Sequence, residues 1–324
     1  MTINWLVVGG AGYIGSHTLR ELISTGNNCV VLDNLSRGKR ERVPVEVELI
    51  EGESADSELI IDICKRNKIS HIIHFAAFMQ ARESVRHPSR YWKNNLSATY
   101  GIIGALSELD IKEILFSSSC SVYGNNPNAT TASDLMPLSP YAMTKVACEQ
   151  ILEEACLERR IKLTILRYFN VIGCGEFESS IDASSETIVP SILSSIRMGT
   201  PFKIFGKNFD SIDGTPIRDY VDVRDLARAH LVSTLVKSKK NPLFLNVSSG
   251  LGTSVKELVE IMSSVSGVKI EFDYLSPNPG DPGVIGAKTS QELIDNNWSP
   301  QIPVKQSLLD YWRYLSSEQQ EIRT

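Results

Sequence analysis

A tyrosine and a lysine spaced four residues apart are the strongest candidates for acid–base chemistry in this sequence. Tyr141 is the one among ten tyrosines with a lysine, Lys145, four residues further on, and this spacing places both side chains on one face of a predicted helix. A free phenol is a poor base near neutral pH because its pKa is about 10. A neighbouring cation stabilises the phenolate and lowers that pKa. The pair therefore predicts a tyrosine that takes up and releases a substrate proton.

Three consecutive serines, Ser117 to Ser119, precede this pair at the end of a strand predicted over residues 114–118. A serine hydroxyl at the end of a strand can hydrogen-bond a reacting oxygen and pass its proton to a phenolate. The sequence therefore predicts that one of these hydroxyls works together with Tyr141.

A strand, a glycine turn and the start of a helix occupy residues 6–15. Gly9 permits the tight turn, Gly12 lets the backbone approach a pyrophosphate, and Gly15 lets the helix pack closely on the strand. The start of the helix offers unpaired N–H groups to phosphate oxygens. Asp33 ends the next predicted strand, about 20 residues further on, where an acid binds the adenosine ribose and repels a 2′-phosphate. These residues predict a dinucleotide site that takes NAD in preference to NADP.

Short β-branched runs alternate with amphipathic stretches through the first half of the chain. The predicted strands are residues 5–9, 29–33, 45–51, 71–75, 114–118 and 163–168, and the predicted helices are 14–24, 57–66, 92–108 and 142–159. This alternation predicts an α/β fold with a Rossmann-type doubly wound parallel sheet. After about Gly173 the chain becomes loop-rich, which predicts a smaller C-terminal α/β lobe for the substrate. We expect a first domain over 1–175 and a second lobe over 176–324, with residues of about 218–250 returning to the first domain.

Composition and charge limit the classes of function. A formal net charge of −5 argues against a general nucleic-acid surface, and the basic cluster at residues 37–42 is interpreted as a solvated turn. Six scattered cysteines without a C-x-x-C pair suit a reducing compartment. No apolar run approaches the roughly 20 residues of a membrane-spanning helix and no secretion signal is recognised, so we expect a cytoplasmic protein without a membrane partner. His71 and His74 point to opposite faces of a predicted strand, and no metal site is predicted.

Motifs along nearly the whole chain carry a family resemblance. They are residues 9–16 (GGAGYIGS), 33–36 (DNLS), 74–77 (HFAA), 94–96 (NNL), 117–119 (SSS), 141–145 (YAMTK), 166–170 (LRYFN), 204–206 (IFG) and 213–221 (DGTPIRDYV). With these motifs the chain resembles the extended short-chain dehydrogenases/reductases, and among them the UDP-glucose 4-epimerases. The resemblance implies NAD-dependent epimerisation at C4 of a nucleotide-activated hexose through a transient 4-keto sugar.

The resemblance also implies roles for individual residues. Tyr141 would be the base, Lys145 its partner and a ribose ligand, and Ser119 the hydroxyl that relays the proton. The implied cofactor contacts are Gly9, Gly12, Tyr13, Ile14, Gly15, Asp33, Asn34, Glu53, Ser54, Phe75, Ala76, Ala77, Asn95, Ser117, Tyr141, Lys145 and Tyr168. The implied substrate contacts are Ser119, Tyr141, Asn170, Thr187, Ile188, Arg218, Asn278 and Asp281, with the Arg218 guanidinium facing the diphosphate. Family members are commonly homodimers joined through helices corresponding to residues 92–108 and 142–159.

Departures from the family pattern fall mostly on the substrate side. Asn278 stands where an arginine is expected on the diphosphate, and the loss of a charge-assisted pair should weaken nucleotide binding. Thr187 stands where relatives carry Asn or His, and Met79 where some carry a cofactor-contacting Lys. Glu53 stands where an Asp usually reaches the adenine. The identities of the nucleotide and the sugar therefore stay open.

Other functions stay as alternatives. Nucleotide-sugar dehydratases carry Thr-Asp-Glu before a V-Y-G segment, whereas Ser119, Cys120 and Ser121 precede that segment here, so the acid and base for C5 deprotonation and C6 water loss are missing. Decarboxylating relatives also place Glu at the position of Ser121. A non-catalytic NAD-binding sensor would tend to lose the tyrosine or the lysine, and both are present. An epimerase, dehydratase or reductase acting on a different nucleotide sugar is the main alternative.

Overall fold

A computed structural model describes residues 2–177, 179–182, 187–277 and 283–321, with side chains described as far as residue 316. Within these residues the strands are β1 Asn4–Val8, β2 Asn28–Asp33, β3 Glu48–Glu51, β4 His71–His74, β5 Glu113–Ser117, β6 Lys162–Tyr168, β7 Asn170–Ile172, β8 Phe202–Phe205, β9 Ile217–Asp222, β10 Leu243–Val247, β11 Gly252–Ser254 and β12 Phe272–Leu275. The helices are α1 Tyr13–Ser24, α2 Ser57–Asn67, α3 Ala81–Arg86, α4 Pro88–Ala105, α5 Pro140–Arg159, α6 Ile188–Met198, α7 Val223–Leu235, α8 Val255–Ser266, α9 Gln291–Asp295 and α10 Val304–Glu321. Short 3₁₀ turns lie at Arg40–Arg42, Leu106–Glu108 and Cys120–Tyr123.

Seven of the described strands form one parallel sheet in the order β10-β6-β5-β4-β1-β2-β3. Successive side chains of a strand point to opposite faces, and in β1 Leu6 and Val8 enter the core on one face while Trp5 and Val7 enter the core on the other. All four side chains are at most 1% exposed. A strand buried on both faces reads as an unbroken apolar run, which is why the sequence predicts it well.

Helices cover both faces of this sheet. α2, α4 and α5 pack on one face through side chains such as Ile60, Ile102 and Leu152. α1 and α7 pack on the other face through Leu19 and Leu226. The result is the Rossmann-type, doubly wound α/β fold that the sequence predicts.

From β7 onward the chain builds a smaller lobe. β11, β9 and β7 form a three-stranded sheet, and β12 pairs with β8, within the described residues. Ile192 of α6, Leu258 of α8 and Leu308 of α10 are fully buried in the core of this lobe. Between these elements α7 and β10 belong to the large sheet, because α7 packs on α1 and β10 pairs in parallel with β6.

Two predicted element boundaries are wrong by several residues. The strand predicted over 45–51 begins only at Glu48, because the Val47 N–H donates to the Pro44 carbonyl at 2.9 Å and closes a turn there. The helix predicted over 92–108 begins at Pro88, whose fixed φ suits the first helical position. It ends at Ala105 and continues as a 3₁₀ turn.

Candidate active site

A cavity of about 670 Å³ opens between the two lobes. Its wall includes residues at or just after the carboxyl ends of β1, β4, β5 and β6, the edge of a parallel sheet where ligands bind in such folds. The predicted site residues that line it are Gly9, Gly12, Tyr13, Ile14, Gly15, Phe75, Ala77, Ser117, Ser119, Tyr141, Lys145, Tyr168, Asn170, Thr187, Ile188 and Arg218. The fold thus brings the glycine turn, the Tyr-Lys pair and residues of the second lobe to one cavity.

Tyr141 lies in the first turn of α5. The Ser139 hydroxyl caps this helix by accepting from the Ala142 N–H at 3.2 Å. The Tyr141 N–H donates to the Ser84 hydroxyl at 3.1 Å, so α3 holds the backbone that carries the phenol. Burial raises the pKa of Tyr141 to about 12, and a hydrogen bond with Ser119 acts in the opposite direction. The phenol therefore needs added positive charge nearby to act as a base near neutral pH.

Lys145 lies one helical turn further along α5 and is 3% exposed. Its Nζ donates to the Ser117 carbonyl at 2.6 Å and lies 4.8 Å from the centre of the Phe116 ring. Burial lowers the pKa of Lys145 to about 8. The ammonium group thus joins α5 to the end of β5 and places a cation in the cavity wall.

The serines at the end of β5 alternate in direction. Ser117 and Ser119 line the cavity, and the Ser117 hydroxyl shares a hydrogen bond with the Tyr168 hydroxyl. Ser119 is hydrogen-bonded to Tyr141. Ser118 is 1% exposed and donates its hydroxyl to Glu149 instead. The hydroxyl next to the phenol is therefore that of Ser119.

The glycine turn between β1 and α1 fits a dinucleotide. Gly9 has a φ of 82°, and a Cβ there would come within 2.6 Å of the Ala76 nitrogen. A Cβ on Gly15 would come within 2.3 Å of the Gly9 carbonyl oxygen. No described side chain caps the start of α1 at Tyr13, which leaves its first N–H groups to a ligand. The pyrophosphate of NAD suits these donors.

Some predicted cofactor residues do not line this cavity. They are Asp33, Asn34, Glu53, Ser54, Ala76 and Asn95. Asn95 is 1% exposed; its side chain accepts from the Phe78 N–H at 2.8 Å and donates to the Phe78 carbonyl at 3.1 Å. Asn34 donates to the Glu53 carboxylate at 3.1 Å. Asn95 thus fixes the segment after β4, whose Phe75 and Ala77 do line the cavity.

Two of the predicted substrate residues begin α6. Thr187 is the last residue before this helix, and its hydroxyl donates to Asp182 Oδ2 at 2.6 Å. Ile188 follows as the first helical residue and lines the cavity. Asn278 and Asp281 lie outside the described residues.

Arg218, on β9, carries positive charge into the second-lobe side of the cavity. It is 7% exposed, and its Nη1 donates to the carbonyls of Ile217 at 2.8 Å and Gly283 at 3.1 Å. These contacts fix the guanidinium at the wall, where its planar donor set suits the oxygens of a phosphate. Asn170 lines the same cavity from the start of β7.

Arg42 and Tyr311 are among the cavity residues that were not predicted from the sequence. The interpretation of residues 37–42 as a solvated turn is wrong for Arg42, which is 3% exposed and donates to the carbonyls of Ser179 at 2.7 Å and Ile181 at 2.8 Å. Tyr311 of α10 donates to the Asp182 carbonyl at 2.6 Å. These partners are 129 to 139 residues apart in the chain, so no local pattern could signal either contact.

The part of the chain that the structure describes holds no group of three or more His, Cys, Asp or Glu side chains able to bind a metal ion. No described helix is both long enough and apolar enough to cross a membrane.

The fold and the cavity define the class of protein: a short-chain dehydrogenase/reductase of the extended type, with its second lobe closing over the carboxyl edge of the sheet. The chain belongs to the NAD dependent epimerase/dehydratase family, whose model matches residues 5–247. The family's dependence on NAD agrees with the donors of the glycine turn.

Individual epimerases are similar to this chain over most of its length. The UDP-glucose 4-epimerase of Lactobacillus helveticus is 37% identical over 303 residues, which is 91% of each chain. The crystal structure of UDP-glucose 4-epimerase from Bifidobacterium longum in complex with NAD+ and UDP has a TM-score of 0.90 and 26% identity, covering 98% of this chain and 99% of that one. A UDP-N-acetylglucosamine 4-epimerase from Methanobrevibacter ruminantium, in complex with UDP-N-acetylmuramic acid, has a TM-score of 0.83 and 32% identity, covering 98% and 100%.

Proposed function

We propose that this protein catalyses NAD-dependent epimerisation at C4 of a UDP-activated hexose of the UDP-glucose and UDP-galactose type. The observation that carries the proposal is that Tyr141, Lys145 and Ser119 line one cavity with the glycine turn. Similarity to UDP-glucose 4-epimerases over most of the chain supports the same function. The N–H groups at the start of α1 would hold the pyrophosphate of NAD, which would supply the hydride acceptor and donor for C4 by way of a transient 4-keto sugar.

The chain's own side chains handle the proton of the C4 hydroxyl. That proton passes to the Tyr141 oxygen as C4 is oxidised and returns to the sugar oxygen as C4 is reduced, so no proton is consumed overall. Lys145, together with the positive charge of oxidised nicotinamide, offsets the burial that raises the pKa of Tyr141 to about 12. Ser119 bridges the phenol and the sugar oxygen through its hydroxyl.

The side chains beside Tyr141 favour chemistry at C4 over loss of water. Dehydration needs an acid and a base aimed at C5 and C6. Cys120 and Ser121 stand in the positions where dehydratases carry these groups. Burial raises the pKa of the Cys120 thiol well above its ordinary value, so the thiol stays protonated and cannot act as the base.

The substrate's nucleotide end and the protein's compartment are part of the proposal. Arg218 is the described cation that we assign to the diphosphate, while Asn278 would contribute at most a neutral hydrogen bond there. The six cysteines are free thiols, which suits work in the reducing cytoplasm.

Conversion of a nucleotide sugar without net use of cofactor tests this function. Purified protein should interconvert UDP-galactose and UDP-glucose with no NAD consumed, and dTDP-, GDP- and ADP-hexoses serve as rival substrates. Tyr141→Phe should keep its fold and its bound NAD but lose roughly 10²–10⁴-fold in turnover. Tyr274→Phe, at a tyrosine that is 41% exposed on β12, is the matched control and should keep wild-type turnover. Turnover of the wild type with another nucleotide sugar alone would move the assignment to that substrate, and normal turnover in Tyr141→Phe would contradict the assigned base.

A further inference from the structure

A buried ion pair lies behind the strand that carries the serines. The Arg167 guanidinium, on β6, meets the Glu149 carboxylate, on α5, at 3.0 Å from Nε to Oε1 and 2.5 Å from Nη2 to Oε2, and both side chains are 3% exposed. Arg167 Nη1 also donates to the Tyr123 hydroxyl at 2.9 Å, and that hydroxyl donates to Asn246 Oδ1 at 2.7 Å. Desolvation of both charges offsets much of the attraction in such a pair, so net stability is a weak explanation for it.

The ion pair is connected to the cavity through one serine. Ser118 donates its hydroxyl to Glu149 Oε1, while its neighbours Ser117 and Ser119 line the cavity. Lys145 and Glu149 are four residues apart on α5 and bind consecutive residues of the strand end. Lys145 Nζ binds the Ser117 carbonyl at 2.6 Å, and the Glu149 carboxylate binds the Ser118 hydroxyl.

We propose that Glu149 is a positioning residue for the C4 chemistry, which holds Ser118 so that the next hydroxyl, that of Ser119, stays against the Tyr141 phenol. Arg167 fixes the plane of the Glu149 carboxylate through two parallel hydrogen bonds. Neither side chain of the ion pair lines the cavity, so both act through the strand. A displacement of about 1 Å at a reacting group can cost on the order of 10²-fold in rate.

The kinetic part of this inference rests on the proposed function and is tested with three variants. Ser118→Ala removes the link to the strand and leaves the ion pair, and Glu149→Gln removes the charge. Both should lower kcat for UDP-galactose by about 10- to 100-fold with KM and bound NAD unchanged. Ser118→Thr keeps the hydroxyl and should recover most of kcat.

Glu113→Gln is the matched control, because it removes a buried carboxylate at the opposite end of the same strand. Glu113 is 5% exposed and pairs with Lys162 at 2.9 Å, far from the serines along β5. This variant should lose stability and keep kcat. The proposal would be overturned if kcat of Ser118→Ala and of Glu149→Gln lay within twofold of the wild-type value. The ion pair would then have only a structural role. If Glu149→Gln does not fold, the kcat of Ser118→Ala alone tests the proposal.

A second measurement does not depend on turnover. The ionisation of Tyr141 is followed as the ultraviolet difference between each NAD-loaded protein and its Tyr141→Phe counterpart, as pH is raised. The midpoint in Ser118→Ala should move to higher pH, because a displaced Ser119 no longer stabilises the phenolate. An unchanged midpoint would overturn the positioning role. If the wild type converted no nucleotide sugar, only the proposed function would be contradicted. The midpoint of Tyr141 ionisation would still test the positioning role of Glu149.

Discussion

The carboxylate of Asp33 accepts two backbone hydrogen bonds at the end of β2, from the Ala11 N–H at 3.0 Å and the Leu35 N–H at 2.9 Å. Asp33, which was predicted to bind the adenosine ribose, therefore also holds the glycine turn through the Ala11 N–H. A Cβ on Gly38 would come within 2.8 Å of Asp33 Oδ1, so the following loop closes on the same carboxylate. Asp33 thus supports the turn, and we propose that it also selects NAD over NADP; the two roles can be separated.

Asp33→Asn should narrow the preference for NAD over NADP. Loss of the negative charge removes repulsion of the 2′-phosphate, whereas loss of one acceptor oxygen loosens the turn for both cofactors alike. We expect a wild-type preference of at least about tenfold, which corresponds to about 1.4 kcal/mol. Fluorescence titrations of the stripped protein with NAD and with NADP give both dissociation constants.

The control for this titration is Glu51→Gln, at an exposed carboxylate that pairs with Arg40 at 3.0 Å at the end of β3. It removes a nearby negative charge without touching the turn, and the cofactor ratio should stay at its wild-type value. Equal affinities of the wild type for NAD and NADP would show that Asp33 does not face the 2′ position.

At the scale of elements, α4 and α5 pack against each other and leave apolar side chains in solvent. Trp92 and Tyr100 on α4 are 37% and 54% exposed, and Met143 and Leu157 on α5 are 43% and 66% exposed. Within each helix the two residues are spaced so that they share a face. We infer that a second copy of the chain covers these faces, with α4 and α5 of both copies forming the interface of a homodimer.

Light scattering tests the homodimer. The wild type should have about twice the 35.9 kDa mass of one chain, and Tyr100→Arg with Leu157→Arg should shift it to the mass of one chain, because two buried guanidinium groups would lack partners. Leu235→Arg places the same charge at another exposed leucine, 62% exposed at the end of α7, and should leave the mass of the dimer unchanged. A wild type of single-chain mass would exclude the dimer.

The elements also show how far the sequence could predict the structure. β1, β2, β4, β5 and β6 lie within one or two residues of their predicted bounds, because strands buried on both faces read as continuous apolar runs. Tyr141, Lys145 and the glycine turn were predicted because each depends on local spacing. Arg42 and Tyr311 were not, because their place in the cavity depends on partners more than 120 residues away. The pairing of Ser118 with Glu149 likewise follows from packing of α5 on β5 and not from either segment alone.

At the scale of the whole molecule, three histidines lie in the interior as neutral rings. His17, His74 and His230 are at most 4% exposed, and each has one ring nitrogen without a hydrogen-bond partner among the described residues. Burial lowers the pKa of His17 and His230 to about 4 and that of His74 to about 3. Below pH 6.5 these histidines bind protons in the unfolded chain but stay neutral in the folded protein. The stability of the folded protein is therefore unaffected by them above pH 6.5 and falls as the pH is lowered toward 4.

The free energy of unfolding should therefore fall between pH 7 and pH 5, with each such ring adding a slope of up to about 1.4 kcal/mol per pH unit. Burial raises the pKa of Asp33, Asp219 and Glu113, and these carboxyl groups make the folded protein more stable as the pH falls. Because this opposes the effect of the histidines, the test compares the slope of a variant with that of the wild type. Urea unfolding at several pH values should show a smaller slope for His230→Phe than for the wild type. His87→Gln, at an exposed histidine, should leave the slope unchanged. Equal slopes in all three proteins would contradict the titration of His230.

The contribution of Tyr311 to the cavity sets an order of events during synthesis. The last strand of the large sheet ends at Val247, whereas α10, which carries Tyr311, ends at Glu321. At about 5–20 residues per second a ribosome needs roughly 4–15 s to make the intervening chain. During that interval the glycine turn, all seven strands of the sheet and Arg218 have been made, while Tyr311 has not. A nascent chain can thus complete the sheet around the cofactor part of the cavity before the whole cavity wall has been made.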